Sequence, residues 1–419
     1  MTAPAPTLES VDERTASIRG AIARITLSAE KYAEISRKNL GDPAQAAETS
    51  NAQNDLALAA KKLLLEVQGP LGGMFELIGA MTQTAALRSL LGMGVFDTLP
   101  RDGTPMTADE LVQKLTVPVE KTLLIRLLRN VTVTGPLAEI DTETYAQTPF
   151  SAVLTNPDLA ATYKHLIDEI WPPIALMHQY FQSNGYKQPV DPTNSPYAFA
   201  HRTNGQEVWT HIAQFPDRQS NSNRAMKAQS FDGVWSIGLY PFAQKVAEAP
   251  TDASTPLIVD VGGGAGHTSR KIRELCAGVE GRVVLQDRAE VVADAPQVDG
   301  VETMAQDFFE EQPVKGARVY YLRRILHDWS DPSSVEILKR LADAMDPQHS
   351  RIVIAEQILP TKGVSAESAL IDMVMMTMTG GERTEKQWEQ LLAQAGLKVE
   401  NFYKMPGTPF GAIEARLAT

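Results

Sequence analysis

The sequence predicts an α/β fold, with an open and mostly parallel sheet over residues 250–419 and a helical, winged-helix-type unit ahead of it. Three observations predict it. The apolar run Leu257-Ile-Val-Asp-Val261 ends in a cluster of glycines, Gly262, Gly263, Gly264 and Gly266, and opens into helical spacing from Thr268 to Leu275. That pattern reads as a buried strand, a tight turn and a helix. Beyond it, short β-leaning runs alternate with helical spacings, as in a doubly wound sheet. Before residue 250 the periodicity is helical instead.

The elements follow in chain order. Residues 1–10 are rich in Pro, Ala and Thr and are expected to be disordered. Residues 11–39 carry helical spacing through Ile18, Ile22, Ile25 and Tyr32; Gly41-Asp-Pro43 breaks it, and a second helix is expected around Leu56–Leu65. These two amphipathic helices need a partner surface, either another subunit or the chain's own second lobe. Ala80–Leu91 is helical, Gly92–Asp97 is a turn, and Thr107-Ala-Asp-Glu110 is a capping box that opens a helix at Leu111. Val119–Val131 supplies a further helix, and Thr134–Pro149 alternates about a turn like a β-wing. A winged helix commonly reads DNA. Here the segment 118–130 has few cations, which points to oligomerisation or pocket formation.

Residues 160–245 are helical and dense in aromatics, among them Trp171, Tyr180, Tyr197, Trp209, Phe231, Trp235 and Tyr240. Most such residues form core, yet their density fits the roof of a pocket for a planar apolar substrate. His165 and His178 are expected in core or surface positions. The sheet then takes the strand at 257, a second at Gly281–Asp287, a third short one, a fourth at Ala317–Leu326 and a fifth at Arg351–Leu359. A methionine-rich helix at Ala366–Thr379, a helix from Thr384 and a closing hairpin at Leu397–Tyr403 and Gly411–Leu417 complete it. The organisation is thus 1–70 as helical extension, 71–160 as winged-helix-like unit, 161–249 as helical linker and pocket segment, and 250–419 as catalytic domain.

Composition narrows the function. With 43% hydrophobic and 21% charged residues, the chain is an ordinary globular protein, and 419 residues suffice for two lobes. A net charge of −12 argues against nucleic acid as a partner. The single cysteine, Cys276, excludes an intrachain disulfide and reads as core filler in a reducing compartment. With no apolar run of membrane-spanning length and no basic-then-apolar leader, the expectation is a cytoplasmic protein with no membrane partner.

The glycine turn selects the cofactor. A dinucleotide site needs G-x-G-x-x-G, and its third glycine would fall on His267. The pattern is instead D-x-G-x-G-x-G, with Asp260 at the strand end. That carboxylate would repel a pyrophosphate while tolerating a ligand that carries an ammonium and a sulfonium, as S-adenosylmethionine does. Asp287 closes the next strand, where an acid holds a ribose diol, and Gln306-Asp-Phe-Phe309 places an acid beside aromatics suited to an adenine. His327, in His327-Asp-Trp-Ser-Asp331 at the end of the fourth strand, falls on the same sheet edge. Against a metal stands the spacing, since His327 with Asp328 lacks a third ligand.

Val259–Gly266, Gln286-Asp287, Gln306-Asp-Phe308, Leu322-Arg-Arg-Ile-Leu-His-Asp-Trp329 and Gly380-Gly-Glu-Arg-Thr-Glu-Lys-Gln-Trp388 together resemble fungal small-molecule O-methyltransferases of the caffeate and flavonoid type, over about residues 75–419. The resemblance implies a Rossmann-like methyltransferase sheet, S-adenosylmethionine dependence and a homodimer formed through the winged-helix domain. It implies cofactor contacts from Gly262, Gly263, Gly264, Asp287, Asp307, Phe308 and Arg323. It makes His327 the general base, flanked and oriented by Glu356 and Glu382. Two departures stand out. Many relatives have Asp where Glu356 stands, and Arg324 replaces a tryptophan common in plant members. Chemistry agrees with the resemblance, because a phenol with a pKa of about 10 needs a base before its oxygen attacks. The expected substrate is an aromatic, polyketide or alkaloid small molecule. The alternative on the same fold is a pericyclase or dehydratase that keeps S-adenosylmethionine as a bound cation.

Overall fold

The computed structural model describes residues 8–40, 45–231, 234–405 and 408–418. The expected disorder at the extreme N-terminus and the break at 41–43 lie outside the described residues. Two compact units divide the chain, one running to Ala152 and the other beginning at Val153.

In the first unit, helix Leu8–Lys38 lies against helix Ala46–Met93. Arg14 donates to the carbonyl of Val67 at 2.9 Å, Lys31 pairs with Asp55 at 3.3 Å, and Asn39 donates to Glu48 at 2.8 Å. Rising numbers on one helix meet falling numbers on the other, so the two run antiparallel and bury their first surface against each other. The sequence separated a helix at 56–65 from one at 80–91. The structure keeps a break between them: the helical run Ala46–Met93 is two helices that meet at a kink at Gly69, whose backbone is non-helical (φ 69°, ψ 179°), ahead of Pro70. Proline lacks an N–H and disfavours helical backbone in its predecessor, which places the bend. The turn expected over Gly92–Asp97 contracts to Gly94, whose left-handed backbone (φ 79°) caps the long helix before a short helix at Val95–Thr98.

Thr107 and Glu110 form the expected capping box, with the Glu110 carboxylate accepting from the Thr107 N–H at 2.8 Å. Helix Lys121–Thr132 turns Leu124, Ile125, Leu128 and Val131 inward. Strands β1 (Met106–Thr107), β2 (Leu137–Asp141) and β3 (Thr144–Gln147) make the wing, in the order β1-β3-β2.

The second unit opens with short helices from Pro157 to Val246 and continues into the main sheet. Its strands are β4 (Pro256–Val261), β5 (Arg282–Asp287), β6 (Glu302–Ala305), β7 (Val319–Arg323), β8 (Arg351–Leu359), β9 (Arg383–Thr384), β10 (Leu397–Lys404) and β11 (Phe410–Leu417). The order is β10-β11-β8-β7-β4-β5-β6, with β9 on β8. Strands β4 to β8 pair in parallel, and the β10–β11 hairpin enters antiparallel. From β4 the chain moves outward through β5 and β6 and then returns to β7 on the other side. Such a reversal opens a crevice at the carboxyl ends of β4 and β7. Alternate residues serve opposite faces. Val259, Tyr320 and Ile352 pack with Ile337, Leu341 and Trp388, while Ile258, Tyr321 and Val353 pack with Phe242, Ile272 and Cys276.

Of the aromatics in the pocket segment, Tyr180, Tyr197, Tyr240 and Phe242 are core, and Tyr186, Phe199 and Phe215 are exposed. The side chains of Phe231 and Trp235 lie outside the described residues. His165 is buried and His178 exposed, as expected of non-catalytic histidines. Cys276 is buried core, and burial pushes its thiol up to about 11.

One buried charge ties the hairpin to the sheet. Arg351 on β8 sits 2.7 Å from Glu414 on β11 and also meets Glu248, with both Arg351 and Glu414 almost fully buried. Replacing Arg351 by Ala leaves the buried Glu414 carboxylate only the Tyr403 hydroxyl at 2.7 Å and Lys245 at 3.7 Å, with an expected loss of about 3 kcal/mol. Chemical denaturation of Arg351→Ala beside wild type measures it, and an unchanged midpoint contradicts it.

Candidate active site

The carboxyl edge of the sheet is shaped first by its glycines. Gly262 and Gly264 adopt left-handed backbone (φ 71° and 58°), a conformation in which a β-carbon is costly. At Gly262 a β-carbon would lie 2.5 Å from Ile325 Cδ1, and at Gly263 it would collide with Leu285 and with the Asp260 carboxylate. The N–H groups of Gly262 and Gly263 donate to the carbonyl of Gln286 at 2.8 and 3.0 Å. The turn is therefore sewn to β5 before helix His267–Leu275 begins.

Two acids take different positions here. Asp260 is 1% exposed and accepts from Ser269 Oγ at 2.5 Å, with burial raising its carboxyl to about 6. It braces the strand against the following helix, so the ligand-facing carboxylate expected at this position is corrected to a buried brace under Gly263. Asp287, at the end of β5, accepts from the Gly264 N–H at 2.8 Å and from the Arg288 N–H at 2.8 Å, and burial raises its pKa. Each of its oxygens keeps a lone pair for a further donor. Asp307 is exposed beyond β6 and accepts from the Phe309 N–H at 2.9 Å. Phe308 stands beside Gly262 and meets Phe309 and Trp329 edge-on. Arg323 ends β7, and Arg324 follows in left-handed backbone (φ 54°) with its guanidinium 4.8 Å from the Phe410 ring.

The turn after β7 carries His327 in a short 3₁₀ segment, Leu326–Asp328. Its Nδ1 is 2.8 Å from Glu382 Oε1 and 3.7 Å from Glu356 Oε2, and its Nε2 is 3.6 Å from Asp328 Oδ1. A carboxylate only accepts, so the hydrogen sits on Nδ1 and Nε2 is left as the imidazole's basic atom. Glu356, fully buried on β8, accepts from the N–H groups of Ile325 and Leu326 at 2.9 and 3.0 Å and so fixes the turn that carries the imidazole. Burial pulls the His327 pKa down, but Glu356, Asp328 and Glu382 outweigh it and raise it to about 10. Burial in turn raises Glu356, and it raises Asp328 to about 6.

His327, Glu356 and Glu382 offer ligand atoms within 4.8 Å of one another. His327 thus has the further candidate ligands that spacing denied it, because the fold gathers carboxylates 29 and 55 positions away that local spacing does not reveal.

Residues that the sequence reading gave no role complete the frame. Arg383, buried, donates to the carbonyls of Leu326 and Trp329 at 2.9 Å each and to Asp331 at 2.9 Å, with its guanidinium 5.1 Å from the Trp388 ring. Asp372 accepts from the Glu382 N–H at 2.8 Å, and the Gly381 N–H donates to the His327 carbonyl at 2.8 Å. A cation set just before the capping Thr384, within Gly380–Trp388, was the available signal. Gly380 leaves no room for a β-carbon, which would collide with the His327 carbonyl. Gly380→Ala is therefore expected to cost about 1–3 kcal/mol through forced backbone shifts, while Gly381→Ala, whose nearest neighbour is Asp372 at 3.3 Å, costs less. Thermal melts of the two variants compare them, and equal midpoints contradict the packing argument.

Comparison with known proteins fits this geometry. Residues 191–398 match the O-methyltransferase domain family and residues 75–157 the O-methyltransferase dimerisation domain. The chain is 40% identical to O-methyltransferase opaF of Aspergillus ustus over 98% of both chains. The solved structure of OxaC in complex with SAH and oxaline superposes with a TM-score of 0.86 at 31% identity, covering 96% of this chain and 100% of that one. A structure described as a pericyclic reaction enzyme follows with a TM-score of 0.78 at 27% identity, covering 94% and 99%. The chain belongs to the S-adenosylmethionine-dependent O-methyltransferases, in the branch that serves fungal secondary metabolism.

Proposed function

We propose that this enzyme methylates a phenolic or enolic hydroxyl of an aromatic, polyketide or alkaloid metabolite, with His327 as general base, and that it works as a cytoplasmic homodimer. The observation that carries the reading is the 2.8 Å bond from His327 Nδ1 to Glu382, which leaves Nε2 as the basic atom. S-adenosylmethionine, when bound, supplies a methyl group already activated on a sulfonium. The residues present suit it. Gly262, Gly263 and Gly264 bring bare backbone to the crevice between β4 and β7. Asp287 keeps acceptor capacity for a ribose diol, Asp307 and Phe308 offer an acceptor and a ring for an adenine, and Arg323 stands at the end of β7. The dimer reading rests on the match over 75–157.

The chain's own part in the reaction is to hold and move one proton. Nε2 takes it from the acceptor hydroxyl, and the resulting imidazolium is stabilised by Glu382 and Glu356, whose charges are buried and weakly screened. A base with a pKa of about 10 matches a phenol, so little free energy is lost in the transfer. Asp328, close to Nε2, guards the side on which the hydroxyl must enter.

Incubation with methyl-labelled S-adenosylmethionine and a panel of hydroxylated polyketides and alkaloids tests the reaction. The expected result is labelled product. Substrate consumed with no label transferred assigns the site to the pericyclase or dehydratase reading, which the pericyclic neighbour keeps in view.

His327→Ala is expected to remove methyl transfer, by roughly a factor of 100 or more, with donor affinity retained. The raised pKa sets the direction of the pH profile. Because the deprotonated imidazole is the active form, kcat/KM keeps rising above pH 7.5, where an imidazole with an ordinary pKa of about 6.5 would already have levelled off. A plateau by pH 7 contradicts the base assignment. Chelation with EDTA leaves turnover unchanged, whereas loss restored by a divalent ion gives the triplet to a metal. Asp287→Ala weakens the donor, read by calorimetry, and wild-type affinity would remove the ribose role.

A further inference from the structure

Adjacent arginines at the end of β7 serve opposite sides of it. Arg323 is the last residue of the strand, and its charge bears on Asp260 of the neighbouring β4, where burial raises the carboxyl while Ser269 and Arg323 pull it down. Arg324 follows in left-handed backbone (φ 54°), which breaks the alternation of the strand. Its guanidinium is 4.8 Å from the ring of Phe410, the first residue of β11, which pairs with Gln357 at the far end of β8. The second cation is thereby carried away from the glycine turn, to the side of the crevice where Glu356 of β8 meets His327.

Left-handed backbone is costly for a residue with a β-carbon and persists only where its surroundings hold it. Here both flanks are pinned. The Arg324 N–H donates to the Ala355 carbonyl at 3.1 Å, and the next N–H, that of Ile325, donates to Glu356 at 2.9 Å. One fixed turn therefore sets Arg324 and, three residues on, His327. Around the imidazole, Glu382 and Glu356 take the Nδ1 side, whereas Asp328 lies 3.6 Å from Nε2. Arg324 acts on the Nε2 side, since burial raises the Asp328 carboxyl and the charges of His327 and Arg324 oppose it. Arg324, His327 and Asp328 all keep partial exposure. A molecule that brings a hydroxyl to Nε2 thus comes up beside a guanidinium as well.

We propose that Arg324 selects the acceptor substrate by donating to a carbonyl oxygen adjacent to the hydroxyl that is methylated, which favours hydroxyls ortho or peri to a ketone, and enols of a 1,3-dicarbonyl, over isolated phenols. A guanidinium only donates, so the group it recognises is an oxygen acceptor. A hydroxyl beside a carbonyl holds its proton in an internal hydrogen bond. A charged donor on the carbonyl takes the place of that bond, releases the proton to His327 Nε2 and stabilises the oxyanion that remains. The O–H bond breaks, its proton goes to Nε2 and its electron pair stays on the oxygen. The contact presupposes the methyl-transfer reading above, with His327 as base.

The test uses the full chain and two isomers of one planar ring system: 1-hydroxyanthraquinone, whose hydroxyl lies peri to a carbonyl, and 2-hydroxyanthraquinone, whose hydroxyl does not. Binding of each isomer is measured by calorimetry in the presence of S-adenosylhomocysteine, and kcat/KM with S-adenosylmethionine. Arg324→Met keeps a long side chain and removes every donor. It is expected to lower the affinity ratio of the first isomer to the second by about tenfold, the worth of a charge-assisted hydrogen bond, while Arg324→Lys, which keeps the charge, retains part of the ratio. A ratio that Arg324→Met leaves as in wild type overturns the proposal. So does an equal loss for both isomers, because the arginine then acts on the fold or the base and not on the carbonyl, and so does a wild type that binds neither isomer. Methyl transfer to the isomers with the ratio unmoved removes the carbonyl contact alone; a ratio that falls as expected, with no methyl transferred to either isomer, keeps the contact and overturns the methyl-transfer reading.

Discussion

Two buried carboxylates on one imidazole are the constraint around which the catalytic unit is arranged. Glu356 and Glu382 both approach Nδ1 of His327, and burying two such charges together is costly unless cations and N–H groups answer them. The fold answers with the backbone N–H groups of Ile325 and Leu326 on Glu356 and with the imidazole itself. Arg383 anchors the same turn from behind through the carbonyls of Leu326 and Trp329. Gly380 and Gly381 let the strap from the methionine-rich helix press on the His327 carbonyl. Position, tautomer and basicity of His327 all descend from this packing.

The opposite wall of the crevice is built from backbone. Sheet order reverses between β4 and β7, and at that reversal the glycine turn is fastened to Gln286 and Asp287 of β5. Asp287 therefore holds the loop while its oxygens keep lone pairs for a further donor. The same sheet edge carries the glycine turn and, beyond β7, His327, and the reaction proposed above would need the two close together and dry.

The strand pattern was legible because buried parallel strands read as apolar runs closed by glycine or acid, and the capping box at Thr107 and the closing hairpin declared themselves through local chemistry. His327 was visible by its place at the end of β7. Its partners were not visible from spacing, since Glu356 and Glu382 arrive from distant elements and only the family likeness pointed to them. Asp260 was misplaced for the same reason. Sequence shows an acid at a strand end, but only packing shows whether it turns into the crevice or, as here, under Gly263 toward Ser269. Helical spacing over Leu56–Leu65 and Ala80–Leu91 showed two helices, and non-helical backbone at Gly69 does part them, but the helical turns that extend each one to that kink carry no periodic signal that marks where they end.

The account stands most directly on the charge state of one side chain. Nuclear magnetic resonance titration of the His327 imidazole in the unliganded enzyme, assigned by its loss in His327→Gln, measures it. The account predicts a pKa far above the ordinary value of about 6.5, near the value of about 10 that the two glutamates and Asp328 impose, and a fall when Glu382 becomes Gln. An imidazole that titrates at or below 6.5 in the wild-type enzyme contradicts it.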